Sequence, residues 1–160
     1  VDHIKSLNLD NLTIASPDMG GAKRAKNYAG YLSAEVVIAY KERKKANVVE
    51  EMFLIGDVKD RNVILIDDMI DTAGTLCKAA EILMKNGAKS VRAMATHAVL
   101  SGPAYERIEK SRITELIVTD TILLKQKSDK IRVVPVHDLF VDVIRRLVNN
   151  QSISSHFIIS

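Results

Sequence analysis

The stretch NVILIDDMIDTAGTL, residues 62–76, carries the strongest indication of the fold. Its first part, Val63 to Ile66, is uniformly apolar, as in a parallel strand that is covered on both faces. Asp67 and Asp68 follow at once, and the segment from Asp71 to Thr75 leads into a predicted helix. A strand, a turn with a glycine and then a helix predict one unit of an α/β sheet. Such sheets bind ligands beyond the carboxyl ends of their strands.

The same alternation continues on both sides of this stretch. Apolar periodicity and turn residues predict strands at residues 12–15, 35–40, 52–55, 63–66, 91–96, 116–119 and 133–136. They predict helices at residues 20–32, 76–85, 103–110 and 139–148, and a polar loop at 41–47. We therefore expect an α/β fold with an open, mostly parallel sheet and helices on both faces. At 160 residues the chain fits a single domain, residues 1–160.

Composition excludes several classes of protein. No apolar run approaches the roughly 20 residues of a membrane span, and no signal-peptide pattern opens the sequence. The single cysteine excludes an internal disulfide framework and suits a reducing compartment, so we expect a cytoplasmic protein. The net charge of +3 would permit nucleic-acid binding, but an aromatic content of 4% leaves little surface for stacking bases. We therefore expect neither a nucleic-acid partner nor a membrane.

The segment 67–75 combines acidic side chains with the features of an anion site. Thr72, Gly74 and Thr75 precede a helix whose first N–H groups and dipole favour a phosphate group. Asp67 and Asp68 cannot bind phosphate, but their oxygens can accept hydrogen bonds from sugar hydroxyls or hold Mg²⁺. A ligand with hydroxyls near a phosphate, such as ribose 5-phosphate, satisfies both ends. Two alternatives are a helix cap with solvated acids and a metal-dependent phosphotransfer site in which an aspartate is phosphorylated.

A second turn of similar kind is SPDMGGAKR, residues 16–24. It again joins a strand end, a glycine pair and a helix start, which predicts another anion site. Asp18 would hold a cation beside that anion. Lys23 and Arg24 add positive charge, which favours a phosphate or pyrophosphate ligand. The alternative is a simple strand–turn–helix junction without a ligand.

The basic run KERKKAN occupies residues 41–47 and has four cations in its first five residues. Because like charges repel, the run favours an open loop. One interpretation is a solvated hairpin tip. The other follows from its position after a strand of a sheet with two predicted anion sites. A cationic loop there could close over a polyphosphate and neutralise the charge that develops during phosphoryl transfer.

These three segments resemble one enzyme family. VILIDDMIDTAGT looks like the loop that binds phosphoribosyl pyrophosphate (PRPP) in the type I phosphoribosyltransferase fold. Phosphoribosyltransferases and ribose-phosphate diphosphokinases (PRPP synthases) share that fold. SPDMGGAKR resembles the pyrophosphate loop of the diphosphokinases, and KERKKAN resembles their catalytic flexible loop. The likeness extends through residues 56–58, 96–97, 101–104 and 150–154 and covers nearly the whole chain, which corresponds to the C-terminal half of the family's longer chain.

The resemblance implies a role for each segment. Asp67 and Asp68 would bind the 2- and 3-hydroxyls of the ribose. The residues that would hold the 5-phosphate are Asp71, Thr72, Ala73, Gly74 and Thr75. The residues that would face the diphosphate are Asp18, Met19, Gly20 and Gly21, and Asp18 would hold Mg²⁺. Lys41 and Arg43 would be the catalytic pair that stabilises the transition state.

The activity that the resemblance implies is transfer of the diphosphoryl group of MgATP to the 1-hydroxyl of ribose 5-phosphate, which gives PRPP and AMP. The family's N-terminal half supplies residues that bind adenine, and it is absent from this sequence, so we expect the chain alone to be inactive. The family forms dimers and hexamers, so we expect a homo-oligomer. One alternative is a phosphoribosyltransferase that uses PRPP, which would need a segment that recognises a base. The other is a non-catalytic regulatory homologue of the synthase.

Overall fold

The computed structural model describes residues 1–42 and 51–157, with the backbone alone described at residues 41, 42 and 51. Strands and helices alternate along these residues. The strands are β1 (Leu12–Ser16), β2 (Glu35–Glu42), β3 (Glu51–Ile55), β4 (Asn62–Ile70), β5 (Ser90–Ala98), β6 (Glu115–Thr119) and β7 (Ile131–Val134). The α-helices are α1 (Asp2–Ser6), α2 (Ala22–Leu32), α3 (Gly74–Lys85), α4 (Ala104–Lys110) and α5 (His137–Val148). A short 3₁₀ helix spans Ser154–His156.

The seven described strands form one sheet in the order β3-β2-β1-β4-β5-β6-β7. Every neighbouring pair is parallel except β2 and β3, which are antiparallel. β1 and β4 lie side by side at the point where the strand order reverses, because β2 and β5 continue outward from them on opposite sides. The open, mostly parallel sheet that the sequence predicts is therefore confirmed, and its switch point is where such sheets bind ligands.

Apolar residues of β4 point to both faces of the sheet. Ile64 belongs to a buried cluster with Ala25 of α2, whereas Leu65 belongs to a second cluster with Leu83 of α3. Successive strand residues point to opposite faces, so an apolar run without alternation fills both layers. All the residues from Asn62 to Ile66 are buried. This central strand fixes the positions of the polar residues that follow it.

Several predicted boundaries differ from the structure. β4 does not end at Ile66 but continues to Ile70, because Asp67 and Met69 pair with residues of β5. The predicted loop at 41–47 is wrong for residues 41 and 42, which extend β2 and pair with β3. β7 lies two residues earlier than predicted and ends before Pro135, whose nitrogen cannot donate to a sheet. Helix α1 is not among the predicted elements.

The last helix, α5, is amphipathic as its sequence predicts, but its apolar side is exposed within this chain. The exposed apolar residues are Leu139, Phe140, Val141, Ile144, Leu147 and Val148. Among the residues that the structure describes, no helix has both the length and the apolar character needed to cross a membrane.

Candidate functional site

The carboxyl ends of β1 and β4 bring two of the predicted site segments together. The strands pair in parallel with Ala15 opposite Leu65, so the turn after β1 and the turn after β4, residues 17–21 and 71–75, follow the same edge of the sheet. A side chain also joins the segments, because Arg24 of α2 reaches across to the acids at the end of β4. The two turns that the sequence predicts as anion sites are therefore neighbours in space.

Asp67 and Asp68 share one cation. Nη1 of Arg24 lies 3.0 Å from Oδ1 of Asp67, and its Nη2 lies 2.9 Å from Oδ2 of Asp68. The backbone N–H of Asp68 also donates to Oδ1 of Asp67 at 2.9 Å. One guanidinium beside two carboxylates leaves a net negative charge, and each carboxylate has a second oxygen that can accept a hydroxyl. The sequence pattern groups Arg24 with the anion turn, whereas the structure places it against the acids.

The two carboxylates differ in acidity because their surroundings differ. Burial raises the pKa of Asp67, and the neighbouring carboxylate of Asp68 adds to that rise. The pKa of Asp68 is lowered, first by its hydrogen bond with Asp67 and then by the charge of Arg24. Asp67 is partly buried in β4, whereas Asp68 is exposed, so Asp68 is the more acidic of the two. Both residues belong to the strand, which holds them more rigidly than the predicted loop would.

The turn from Asp71 to Thr75 forms the N-terminus of α3. Ala73 adopts the left-handed conformation, with φ of 58°, and it is the residue immediately before the helix. Among the described side chains, none donates or accepts a capping hydrogen bond at this end of α3. The side chains of Thr72 and Thr75 are exposed, whereas Ala73 is buried. The uncapped N–H groups, the helix dipole and two hydroxyls together suit an anion.

A groove of about 800 Å³ opens beside this turn. Thr72, Gly74 and Thr75 form part of its wall. The basic side chains that line it are Lys78, Arg107, Lys110 and Arg112. Cys77 also lines the groove, and burial raises the pKa of its thiol although the residue lies in the first turn of α3. Of the four basic side chains, Lys110 pairs with Glu106, whereas Arg107 donates to the carbonyl oxygen of Thr72 in the turn.

The second turn is built around Asp18. Its Oδ1 accepts the backbone N–H of Gly21 at 2.9 Å, and its carbonyl oxygen accepts the hydroxyl of Ser16 at 2.6 Å. A Cβ at Gly21 would lie 2.6 Å from Oγ of Ser16, closer than real side chains allow. A Cβ at Gly20 would lie 3.3 Å from Oδ1 of Asp18. Packing therefore requires glycine at position 21, which is buried, whereas Gly20 is exposed and its backbone is open to a ligand.

Asp18 is compatible with a magnesium ion, although it stands alone. No group of three or more potential metal ligands occurs within residues 1–42 and 51–157. Mg²⁺ usually keeps several waters and takes one or two carboxylates together with substrate phosphates. Asp18 is exposed, and one of its two carboxylate oxygens is engaged in the turn. A single carboxylate beside a glycine turn therefore fits an ion that arrives with a polyphosphate.

The predicted catalytic pair is described only in part. Lys41 lies near the end of β2, where its backbone pairs with Met52. Its side chain and the whole of Arg43 lie outside the described residues. β2 is the neighbour of β1 in the sheet, so the basic run begins on the strand next to the one that leads to Asp18. Met19 of that turn is exposed.

Comparisons with known proteins identify the family of this chain. Residues 46–158 match the family model described as the phosphoribosyl synthetase-associated domain. The chain is 54% identical, over 157 residues, to a protein from Wolinella succinogenes named ribose-phosphate pyrophosphokinase. The aligned region covers 98% of this chain and 51% of that relative. The chain thus spans about half the length of the curated relatives that it matches.

Solved structures show the same likeness. A phosphoribosylpyrophosphate synthetase from Mycobacterium smegmatis superposes with a TM-score of 0.83 and is 32% identical, covering 93% of this chain and 49% of its own. A purine phosphoribosyltransferase from Pyrococcus horikoshii superposes with a TM-score of 0.50 and is 16% identical, covering 84% of this chain and 80% of its own. The second comparison shows a shared fold and no more.

Proposed function

Because this chain belongs to the phosphoribosyl synthetase-associated domain family, we propose that it is the C-terminal domain of a ribose-phosphate diphosphokinase. The complete enzyme would transfer the diphosphoryl group of MgATP to ribose 5-phosphate. The oxygen of the 1-hydroxyl attacks the β-phosphorus and loses its proton. The bond between that phosphorus and the oxygen bridging to the α-phosphorus breaks, so AMP leaves and PRPP forms.

One observation carries the proposal: a pair of carboxylates and two anion-type turns occupy one edge of the sheet. A phosphate alone would not need the carboxylates, and a sugar alone would not need an uncapped helix N-terminus. Ribose 5-phosphate carries vicinal hydroxyls and a phosphate in one small molecule. The second turn then provides a place for the diphosphate beside the sugar.

Each side chain has a binding role in this proposal. Asp67 and Asp68 accept hydrogen bonds from the 2- and 3-hydroxyls, which orients the ring. The N–H groups and hydroxyls of Asp71, Thr72, Ala73, Gly74 and Thr75 hold the 5-phosphate. Together they place the 1-hydroxyl towards the turn formed by Asp18, Met19, Gly20 and Gly21. Because phosphoryl transfer needs little covalent help from the protein, most of the catalysis is positioning and charge neutralisation.

The remaining charge neutralisation is assigned to Mg²⁺ and to the basic run. When bound by Asp18, Mg²⁺ would offset the charge of the phosphate oxygens. Lys41 and Arg43 are the proposed catalytic residues that approach the transferred group. The other half of the complete protein would supply the remaining ATP contacts, so the 160-residue chain alone would form no PRPP. We propose that the complete enzyme is a cytoplasmic homo-oligomer.

The test is AMP formation from ATP and ribose 5-phosphate by the full-length protein. Lys41→Ala should lower kcat by at least about 100-fold and leave the affinity for ribose 5-phosphate nearly unchanged. Asp68→Ala should raise the KM for ribose 5-phosphate, because it removes a ground-state contact. AMP formation that Lys41→Ala leaves intact would contradict the assignment of the basic run. No AMP formation, together with PRPP consumption in the presence of a nucleobase, would indicate a phosphoribosyltransferase instead.

A further inference from the structure

The segment 100–107 contacts three consecutive residues, Ile70 to Thr72, where β4 ends and the turn before α3 begins. We call residues 71–75 the phosphate turn. The backbone N–H of Leu100 donates to the carbonyl oxygen of Ile70 at 3.0 Å, and that of Ser101 donates to the carbonyl oxygen of Asp71 at 3.1 Å. The hydroxyl of Ser101 also donates to the carboxylate of Asp71. Nη1 of Arg107 donates to the carbonyl oxygen of Thr72 at 2.9 Å. These contacts join parts of the chain that are about 30 residues apart.

The contacts determine which way the N–H groups of the turn point. In a planar trans peptide the C=O of one residue and the N–H of the next point in opposite directions. Because the carbonyls of residues 70–72 point towards the segment 100–107, the N–H groups of residues 71–73 point away from it. A phosphate that these N–H groups bind must therefore lie on the opposite side of the turn from Ser101. The segment therefore binds the carbonyl oxygens on one side of the turn and leaves the N–H groups on the other side free to bind a phosphate.

The backbone of the turn is strained, so a contact from another part of the chain is needed to stabilise it. Ala73 has a φ of 58°, a conformation that costs a residue other than glycine about 1 kcal/mol. Its side chain is buried, so the turn cannot relax by exposing it. The contact between Arg107 and the carbonyl of Thr72 holds the residue directly before this strained position. The contact therefore stabilises the conformation from which α3 begins.

Arg107 adds charge as well as a hydrogen bond. A Cβ at Gly74 would lie 3.4 Å from Nη1 of Arg107, so the guanidinium lies directly against the first residue of α3. Its full positive charge adds to the partial charge of the helix N-terminus. Lys110, one turn further along α4, pairs with Glu106 instead. Two cations of one helix thus line the same groove, and only Arg107 contacts the turn within the described residues.

We propose that Ser101 and Arg107 are positioning residues for the phosphate turn, and that they set its affinity for the phosphate end of the ligand. The proposal rests on the proposed function in taking ribose 5-phosphate as that ligand. The proposal assigns a structural role to the segment 101–104, which contains no group suited to the transfer reaction. Ser101 fixes the start of the turn through Asp71, and Arg107 fixes the residue before α3.

The experiment is an NMR titration of the 160-residue chain that follows the amide signals of Gly74 and Thr75. Two probes are used: inorganic phosphate, and ribose 5-phosphate. Arg107→Gln should raise the Kd of both probes by a similar factor, about tenfold, because the lost contacts act on the phosphate end alone. Arg107→Lys should recover part of the loss through its charge. Lys110→Gln is the matched control, and it should change either Kd less than about twofold.

Two further variants separate positioning from general damage. Ser101→Ala should also raise both Kd values. Asp68→Asn should raise the Kd of ribose 5-phosphate and leave that of inorganic phosphate unchanged, because it acts on the sugar end. A thermal unfolding curve for each variant verifies that the chain remains folded at the titration temperature.

The outcomes distinguish this inference from the proposed function. If Arg107→Gln binds both probes as wild type does, the inference is wrong and the proposed function stands. If the wild-type chain binds inorganic phosphate in a manner that depends on Arg107 but does not bind ribose 5-phosphate, the inference stands and the proposed substrate is wrong. If the wild-type chain binds neither probe, the turn is not an anion site, and both the inference and the proposed function are wrong.

Discussion

Replacing Arg24 with glutamine should destabilise the fold, because it removes the cation that joins two acids at the end of β4. Arg24 is 32% exposed and Asp67 is 26% exposed, so their contact is a partly shielded, charge-assisted hydrogen bond worth about 1.5 kcal/mol. Asp68 is 65% exposed, so its contact with Arg24 is worth nearer ~0.5 kcal/mol. Together the contacts predict a loss of about 2 kcal/mol in the free energy of unfolding. For a domain of this size that lowers Tm by about 4–8 °C.

The pH dependence of the loss has a definite sign. The pKa of Asp68 is lowered in the folded protein, so its ionised form stabilises the fold above its unfolded pKa of about 3.9. That contribution is lost as the pH falls through the lower, folded pKa. The pKa of Asp67 is raised by burial, so its ionised form opposes folding and it gains a proton first as the pH falls. Protonation of either acid removes a partner of Arg24, so the difference between wild type and variant should narrow as the pH falls through the raised pKa of Asp67 and should be smaller at pH 3.5 than at pH 7.

Urea unfolding followed by circular dichroism at pH 7 and at pH 3.5 measures both parts of this prediction. Lys26→Gln is the matched control, because Lys26 lies on the same helix and is exposed, and its loss should change the free energy by less than about 0.5 kcal/mol. An Arg24→Gln variant that unfolds at the same urea concentration as the control at pH 7 would show that Arg24 does not stabilise the fold through these acids. So would a difference that grows at pH 3.5.

Three other predictions concern the packing and reactivity of the same domain. Gly21→Ala should destabilise the protein by about 1–3 kcal/mol, because its Cβ would lie 2.6 Å from Oγ of Ser16. The control Gly30→Ala has open space at its Cβ and should stabilise the protein by about 0.5–1 kcal/mol. Urea unfolding that ranks the two variants in the reverse order would contradict this expectation. Ile64→Ala should lower the free energy of unfolding by about 2–5 kcal/mol, because Ile64 is fully buried, and a loss below about 1 kcal/mol in the same assay would be inconsistent with that burial. Burial raises the pKa of Cys77, so iodoacetamide should alkylate its thiol more slowly than free cysteine at pH 7.5, and the rate should still increase above pH 9. Mass spectrometry at timed intervals measures the rate of alkylation. A rate equal to that of free cysteine would show that the thiol is not shielded.

The sequence predicts most of the fold because the information that it needs is local. Runs such as Val63 to Ile66 are apolar without alternation, which indicates a strand covered on both faces, and the turn that contains Gly74 marks the start of a helix. The end of β4 is different. Asp67 and Asp68 resemble loop residues, but pairing with β5 keeps them in the strand. Pairing with β5 determines where β4 ends, and the sequence of β4 alone does not show which strand will pair with it.

Contacts between distant parts of the chain account for what the sequence does not reveal about the site. Arg24 and Asp67 are separated by 43 positions, and Arg107 and Thr72 by 35. Sequence patterns place Asp67, Asp68 and the turn at 71–75 at the ligand edge because those residues follow one strand. They group Arg24 with its local neighbours and leave Arg107 without a role. Only the fold shows that Arg24 faces the acids and that Arg107 faces the turn.

In the proposed binding mode one ligand, ribose 5-phosphate, is held by its hydroxyls at Asp67 and Asp68 and by its phosphate at the turn before α3. The most direct measurement is calorimetry of this chain with ribose 5-phosphate and with 2-deoxyribose 5-phosphate. The two ligands share the phosphate and differ by one hydroxyl. A site built to accept that hydroxyl should bind the deoxy sugar at least about tenfold more weakly. Equal affinities for the two sugars would contradict the account.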